Sequence, residues 1–104
     1  MYKVYRTETF DRRFRKLSNE EQKQIELIEQ QLKINPFVGK PLGYKFFREK
    51  KIKGKRLYYL VYENIVLVLL VGLSDKKDQQ ATINLIKNRI PEYYDAVKKA
   101  IKED

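Results

Sequence analysis

The sequence predicts an α+β protein, in which a helical hairpin and a C-terminal helix cover a mainly antiparallel sheet. Three observations lead to this class. Apolar residues recur at helical spacing between residues 10 and 34, alternate or run continuously between residues 57 and 71, and return to helical spacing after residue 75. The 104 residues can form one modest core, so we expect a single domain over residues 1–104.

The first third of the chain predicts one strand and two helices. Residues Tyr2 to Arg6 alternate in polarity, as a short strand does. A first helix is indicated by an apolar stripe at i, i+4 and i+7, formed by Phe10, Phe14 and Leu17. Ser18 and Glu21 form the capping box of a second helix. The core stripe of this second helix consists of Ile25, Ile28 and Leu32.

The middle of the chain predicts a loop followed by a three-stranded antiparallel meander. Residues 36–43 include two prolines and two glycines, so we expect them to form a loop. The three strands are expected at about Lys45–Ile52, Arg56–Glu63 and Ile65–Gly72. Gly54 suits the first turn, and Asn64 suits the second because asparagine tolerates positive φ. The third strand is apolar throughout, which indicates that both of its faces are covered.

The end of the chain predicts helix. Ser74 or Asp75 can cap it. Its expected apolar positions are Ala81, Leu85 and Ile86. We expect Pro91 to interrupt this helix, because proline lacks the backbone N–H that a helix interior uses. A further helical stretch over residues 92–101 then carries the stripe Tyr94, Val97 and Ile101.

The composition excludes several kinds of chemistry. The chain has neither cysteine nor histidine, so it has no disulfide and no thiol nucleophile, and it lacks two common metal ligands and the commonest general base. We therefore expect no metal ion and no cofactor. The start of the chain lacks a signal-peptide pattern, and its longest apolar run is too short to span a bilayer. We expect a soluble cytoplasmic protein that binds no membrane.

Positive charge is concentrated in one short segment. The chain carries 23 Lys and Arg against 14 Asp and Glu, a formal charge of +9, and seven of these cations lie between Lys45 and Arg56 in KFFREKKIKGKR. Cations and aromatic rings on strands suit a nucleic-acid backbone with exposed bases. The RNA-binding candidates are Lys45, Arg48, Lys55 and Tyr58. An edge strand that lysines keep soluble is the alternative interpretation.

Such a cluster can also cleave RNA without a metal. RNA carries its own nucleophile, the 2′-hydroxyl group. A protein needs to remove its proton, stabilise the charged phosphorane and protonate the leaving 5′-oxygen. Arginine and lysine can stabilise the phosphorane, and a lysine can act as the base where neighbouring cations favour its neutral form.

Most of the chain, about Tyr2 to Ile90, resembles the RelE/ParE toxin superfamily of type II toxin–antitoxin systems. The most specific part is KPLGYKFFREKKIKGKRLYYLVY, followed by an apolar strand and LSDKKDQQ. The resemblance implies the RelE-like fold: an N-terminal strand, a helical hairpin, a three-stranded antiparallel meander and a C-terminal helix. RelE-type members are ribosome-dependent mRNA endonucleases, ParE-type members poison DNA gyrase, and a cognate antitoxin neutralises both types.

The resemblance also implies which residues are catalytic. The candidates are Lys50, Lys51, Lys53, Arg56, Lys76 and Lys77. The first three lie at or beside the two strand lysines of the nuclease pattern, the arginine matches the one that follows them, and the last two match a later basic position. Alignment on the LVY of the middle strand instead puts Tyr59 at the arginine position. The pattern's C-terminal tyrosine has no match, because residues 79–83 read QQATI.

Together these implications predict a RelE-like toxin that acts as a ribosome-dependent mRNA endonuclease (an mRNA interferase) and needs no metal. The expected partners are a cognate antitoxin, the ribosome and mRNA. Two alternatives stay open. The missing tyrosine is compatible with a non-enzymatic, ParE-type toxin that poisons gyrase, and also with a degenerate, catalytically weak RNA-binding homologue.

Overall fold

The computed structural model describes residues 1–103 and contains a five-stranded sheet with helices on both faces. The strands are β1 (Lys3–Arg6), β2 (Lys40–Tyr44), β3 (Phe47–Ile52), β4 (Lys55–Tyr62) and β5 (Leu67–Asp75). The helices are α1 (Glu8–Arg15), α2 (Asn19–Ile34) and α3 (Gln79–Glu103). The strand order is β1-β5-β4-β3-β2, and β1 pairs in parallel with β5 while the other pairs are antiparallel. The predicted α+β class is confirmed.

Capping residues determine where the two helices of the hairpin begin and end. The Thr7 hydroxyl accepts a hydrogen bond from the backbone N–H of Phe10, at 3.1 Å, and starts α1. Ser18 starts α2 with the predicted capping box, in which its hydroxyl accepts from the Glu21 backbone and the Glu21 carboxylate accepts from the Ser18 backbone. Asn35 ends α2 in an extended conformation ahead of Pro36.

Alternate residues of β4 pack into two separate cores. Leu57, Tyr59 and Val61 pack against α1 and α2, whose buried residues are Phe10, Phe14, Ile25, Ile28 and Leu32. Tyr58, Leu60 and Tyr62 pack on the opposite face against α3, which contributes Ile83, Ile86 and Val97. The next strand, β5, is buried from Leu67 to Ser74 and lies between β1 and β4. Both of its faces are therefore covered, as predicted.

A β-bulge in β5 determines which face of the sheet each side chain at the end of this strand occupies. The register with β4 shifts between Tyr58 and Tyr59, so that Val71 and Gly72 both lie on the α3 face. A Cβ atom at Gly72 would lie 3.1 Å from Cδ1 of Ile86, so a side chain there would crowd the Ile86 side chain. Beyond the bulge, Ser74 faces α3 and stands opposite Arg56 of β4.

Two predictions about the middle of the chain are wrong. The predicted loop over residues 36–43 contains most of β2, an edge strand that pairs with β3 and tolerates Pro41 because one of its sides has no neighbouring strand. The second turn is a 3₁₀ turn over Glu63–Ile65, and the residue with positive φ is Val66, at 53°, instead of Asn64.

The prediction for the C-terminal segment is wrong in two respects. After a short 3₁₀ turn at Lys76–Asp78, α3 runs without interruption through Pro91. Packing explains this, because Ile86 and Val97 on either side of the proline are both buried against the same sheet face. Of the predicted apolar positions, Leu85 is 51% exposed and Ala81 is exposed as well, so Ile86 is the buried one. Among residues 1–103, no helix is long and apolar enough to cross a membrane.

Buried tyrosines should make the protein unstable at alkaline pH. Burial raises the pKa values of Tyr58, Tyr59, Tyr62 and Tyr93 above the ordinary 10.0. Between about pH 10 and the higher folded pKa values, the unfolded chain therefore binds fewer protons than the folded one, so the free energy of unfolding falls as pH rises. Urea unfolding followed by circular dichroism from about pH 8 to pH 11 measures this slope.

A pair of phenylalanine variants tests the cause of this slope. The Tyr62 hydroxyl is buried and has no hydrogen-bond partner within residues 1–103, so Tyr62→Phe removes a titrating group without breaking a bond. We expect Tyr62→Phe to reduce the alkaline loss of stability. Tyr44→Phe, which removes the same hydroxyl from an exposed ring, is the matched control. An equal response of the two variants would contradict the explanation.

Candidate functional site

The cationic segment Lys45–Arg56 covers β3, the β3–β4 turn and the start of β4. Three of its lysines are neutralised by carboxylates from other parts of the chain. These pairs are Lys45 with Glu63 at 3.4 Å, Lys53 with Glu20, and Lys55 with Glu21 at 3.3 Å and Asp75 at 3.7 Å. These lysines therefore hold the β3–β4 hairpin to α2 and to the neighbouring turns, and their positive charge is locally balanced.

The guanidinium of Arg48 is hydrogen-bonded to backbone carbonyl groups of the protein. It donates to the carbonyl oxygens of Gly39 at 2.9 Å, Lys45 at 2.9 Å and Phe37 at 3.0 Å. These bonds fasten the segment before β2 to the edge of the sheet. The guanidinium has five N–H donors, so two remain for the predicted RNA contact at Arg48.

Arg56 lies at the centre of a buried polar cluster on the α3 face. It is 9% exposed, and its Nε atom lies 3.6 Å from Oε1 of Glu49, which is 3% exposed. The amide of Gln79, the first residue of α3, donates to the same oxygen. The Nε–H of Arg56 has no hydrogen-bond partner within the described residues. An additional acceptor at this position would therefore complete the bonding of the guanidinium.

Tyr58 belongs to the floor of this cluster and cannot contact RNA. It is fully buried, and its hydroxyl shares a 2.8 Å hydrogen bond with the Ser74 hydroxyl. Its ring packs in the core under α3, so Tyr58, predicted to bind RNA, has no exposed surface for such a contact. Phe47 and Tyr59 are fully buried as well, so these three rings belong to the core.

Tyr59, the alternative residue for the arginine position, lies on the opposite face of β4 from Arg56. Its hydroxyl donates to the carbonyl of Pro36 at 2.8 Å and accepts from the N–H of Gly39 at 3.0 Å. The hydroxyl therefore anchors residues 36–39 beneath β3. Arg56, and not Tyr59, faces the cluster around Glu49.

Four of the predicted catalytic lysines have no ion pair within residues 1–103, namely Lys50, Lys51, Lys76 and Lys77. Lys50 and Lys51 line a groove of about 370 Å³ along the β2–β3 edge, together with Glu49. In the sheet register, Lys51 stands opposite Arg56, and Arg56 stands opposite Ser74. Side chains alternate along a strand, so Lys51 lies on the same face of the sheet as Arg56, whereas Lys50 lies on the opposite face with its register partner Leu57. Lys76 and Lys77 follow the end of β5 in the chain.

Sequence reasoning missed Glu49 and Gln79. Glu49 carried a signal, because it is the single acid in the segment Lys45–Arg56 and therefore sits where cations surround it. Gln79 carried none, since its contact with Glu49 spans 30 residues and depends on how α3 crosses the sheet. Within residues 1–103, no group of three or more carboxylate, histidine or cysteine side chains is placed to hold a metal ion.

No protein-family model matches the chain, and no curated protein matches it either. Solved structures do. A chain of the intact RelBE toxin–antitoxin complex of E. coli superposes with a TM-score of 0.66 and 22% identity over 72% of this chain and 96% of that chain. A doubly substituted mutant of the E. coli toxin RelE in the free state superposes with a TM-score of 0.67 and 20% identity over 94% of this chain and 96% of that chain.

A chain of the RelBE2 toxin–antitoxin complex of Mycobacterium tuberculosis gives a TM-score of 0.63 and 23% identity over 72% of this chain and 98% of that chain. The matches include nearly the whole length of each solved chain, so they compare complete folds and not a shared fragment. This protein therefore has the fold of the RelE toxins.

Proposed function

We propose that this protein is a RelE-like toxin of a type II toxin–antitoxin system that cleaves mRNA on the ribosome without a metal ion. The observation that carries the proposal is the end of the RelE-like sheet, where the nearly buried Arg56 stands opposite Lys51, a lysine without an ion pair within residues 1–103. The single domain predicted over residues 1–104 is then the toxin itself.

The cleavage step uses the RNA as its own nucleophile. A base removes the 2′-hydroxyl proton, the 2′-oxygen attacks the adjacent phosphorus, and the P–O5′ bond breaks as the leaving oxygen takes a proton. The products are a 2′,3′-cyclic phosphate and a free 5′-hydroxyl. Charge develops on the phosphorane oxygens, and positively charged donors held in place around them stabilise that charge.

The chain offers a residue for each of these roles. Lys51, opposite Arg56 in the register, is the candidate base, with Lys50 beside it and Lys53 at the turn. Arg56 is the candidate donor to the phosphorane, because its Nε–H has no hydrogen-bond partner among residues 1–103 and a guanidinium can reach two oxygens. Lys76 or Lys77 is the candidate acid for the leaving oxygen.

Glu49 holds Arg56 in position until RNA arrives. Its carboxylate balances the buried guanidinium and is itself tied to Gln79. A phosphate entering the cluster competes with this carboxylate for the same cation, which weakens substrate binding. Together with the missing C-terminal tyrosine, this competition leads us to expect slow cleavage.

The proposed partner outside the ribosome is a cognate antitoxin. A toxin with a formal charge of +9 suits a partner segment that lays acidic side chains over the lysine-lined end of the sheet. The aromatic rings of β4 are buried, so the apolar contacts of that segment must come from exposed residues such as Tyr44 and Leu27.

One experiment separates this function from gyrase poisoning, the alternative that the missing tyrosine favours. Induced expression in bacteria, followed by mapping of RNA ends and of DNA breaks, should yield mRNA ends inside translated frames. DNA breaks that depend on gyrase, with intact mRNA, would instead establish the ParE-type activity. Normal growth with neither cleaved mRNA nor gyrase-dependent DNA breaks would contradict both functions.

Binding to ribosomes should depend on Lys50 and Lys51 and weaken steeply with salt. Each lysine that contacts a phosphate releases counterions, so the slope of log affinity against log salt should flatten by about one unit per lost contact in Lys50→Ala/Lys51→Ala. Co-sedimentation at several salt concentrations measures the slope. The matched control, Lys98→Ala/Lys99→Ala near the far end of α3, removes the same charge and should change the slope little. Equal slopes for the two variants would count against a specific contact.

A further inference from the structure

A second basic cleft lies on the opposite face of the sheet from Arg56. It has a volume of about 360 Å³ and is formed by the end of α1 and the end of β5. Its lining residues are Arg13, Lys16, Leu17, Lys55, Leu73, Ser74 and Asp75. Leu73 belongs to the core beneath α1 and α2, so the cleft opens on the hairpin side.

The cleft has more positive charge than its own carboxylates neutralise. Lys55 is held by Glu21 at 3.3 Å and by Asp75 at 3.7 Å. Arg13 and Lys16 have no ion pair within residues 1–103, whereas the neighbouring Arg15 is paired with Asp11 at 3.3 Å. The two cations therefore face the cleft with their charge uncompensated, as a polyanion site requires.

The cleft is continuous with the proposed catalytic end of the sheet. Lys55 stands opposite Asp75 in the register, and the next pair along the two strands is Arg56 opposite Ser74. The side chains of adjacent residues point to opposite faces of a sheet. A strand of RNA that passes around this end of the sheet can therefore contact both sites. Lys76 and Lys77 follow Asp75 directly in the chain.

A simpler explanation of Arg13 and Lys16 is that they stabilise the end of α1. Cations near a helix C-terminus interact favourably with its dipole. Arg12 and Arg15 lie in the same last turn and have the same relation to the dipole, yet neither of them lines the cleft. The dipole therefore accounts for basic residues in this turn, but not for the convergence of Arg13, Lys16 and Lys55 on one cleft.

We propose that this cleft is a second RNA-binding subsite, which holds the phosphate backbone of the strand next to the segment at Arg56. The proposal extends the proposed function by giving the RNA a path around the end of the sheet. It requires binding alone, and its test is therefore independent of whether the protein cleaves.

The test uses the full chain and a fluorescent single-stranded RNA with 2′-O-methyl groups throughout, which cannot be cleaved. Fluorescence anisotropy at several salt concentrations gives Kd and its salt slope. We expect Arg13→Ala/Lys16→Ala to raise Kd about tenfold near 0.1 M salt and to flatten the slope by about 1.4, at roughly 0.7 per contact on a single strand. Arg13→Gln/Lys16→Gln, which keeps more of each side chain, should give the same result if the first variant folds poorly.

Arg12→Ala/Lys23→Ala is the matched control, because it removes two exposed cations from the same helical hairpin. It should raise Kd less than about twofold. Equal losses in the two variants would mean that only net charge matters and would overturn the subsite. Unchanged RNA binding with lost binding to a poly-glutamate peptide would overturn it as well, and would assign the cleft to an acidic protein partner.

Discussion

Replacement of Arg56 by alanine should reduce mRNA cleavage by about 10²–10³-fold, which is the effect of removing one preorganised donor to a developing oxyanion. The loss should exceed that of any single lysine variant, because a guanidinium can contact two phosphorane oxygens and an ammonium group is a point charge. The Nε–H of Arg56 is buried and has no hydrogen-bond partner within the described residues, so a phosphate must enter the cluster beside Glu49 to make such a contact. Single-turnover cleavage of ribosome-bound mRNA measures the effect.

Arg56→Ala also affects stability, and the experiment must separate the two effects. The substitution leaves the Glu49 carboxylate buried with only Gln79 beside it among its former partners, which should cost about 3–5 kcal/mol. Glu49→Gln in the same chain removes the buried charge and should restore most of the stability without restoring cleavage. Recovery of cleavage together with stability would contradict a catalytic role for Arg56.

A 2′-deoxy nucleotide at the scissile position should abolish cleavage. The proposed nucleophile is the 2′-hydroxyl of the RNA, so its removal eliminates the reaction and not merely part of its rate. The products from unmodified RNA should be a 2′,3′-cyclic phosphate and a 5′-hydroxyl, identified by mass spectrometry. EDTA should leave the rate unchanged once the ribosomes are kept intact, because the sequence contains no histidine or cysteine to build the usual metal cage.

The control for this prediction is a 2′-deoxy nucleotide one position away, which should leave cleavage at the scissile bond nearly intact. Cleavage of RNA that is 2′-deoxy at the scissile position would require water or a protein group as the nucleophile. Either that result or complete inhibition by a chelator, reversed by added metal, would contradict the proposed chemistry.

The sequence was sufficient to predict the helical hairpin and the central strands, because these elements bury large apolar faces. The stripe Phe10, Phe14 and Leu17 and the run from Leu67 to Val71 have spacings that one kind of element satisfies. The local preferences of proline and glycine gave wrong predictions of secondary structure where tertiary packing overrides them. Residues 40–44 contain Pro41 and Gly43 yet pair with β3 as an edge strand, and α3 continues past Pro91 because both of its halves bury side chains on one sheet face.

The candidate site was predictable as a charge cluster but not as an arrangement. A linear sequence does not reveal that Lys53 pairs with Glu20, 33 residues away, or that Arg48 donates to the carbonyls of Gly39 and Phe37. It also could not reveal which cations keep their charge uncompensated. The burial of Tyr58 follows from α3 covering that face of the sheet, a contact that depends on tertiary structure alone.

The central claim, cleavage of mRNA on the ribosome, is tested most directly with purified components. Purified protein is added to ribosomes that translate one defined mRNA, and the RNA ends are mapped at nucleotide resolution with the Arg56→Ala variant in parallel. The account predicts cuts within the translated frame, at ribosome positions, that carry 2′,3′-cyclic phosphates and become about 10²–10³-fold slower in the variant. Intact mRNA at protein concentrations that saturate ribosome binding, or equal cutting by both proteins, would contradict it.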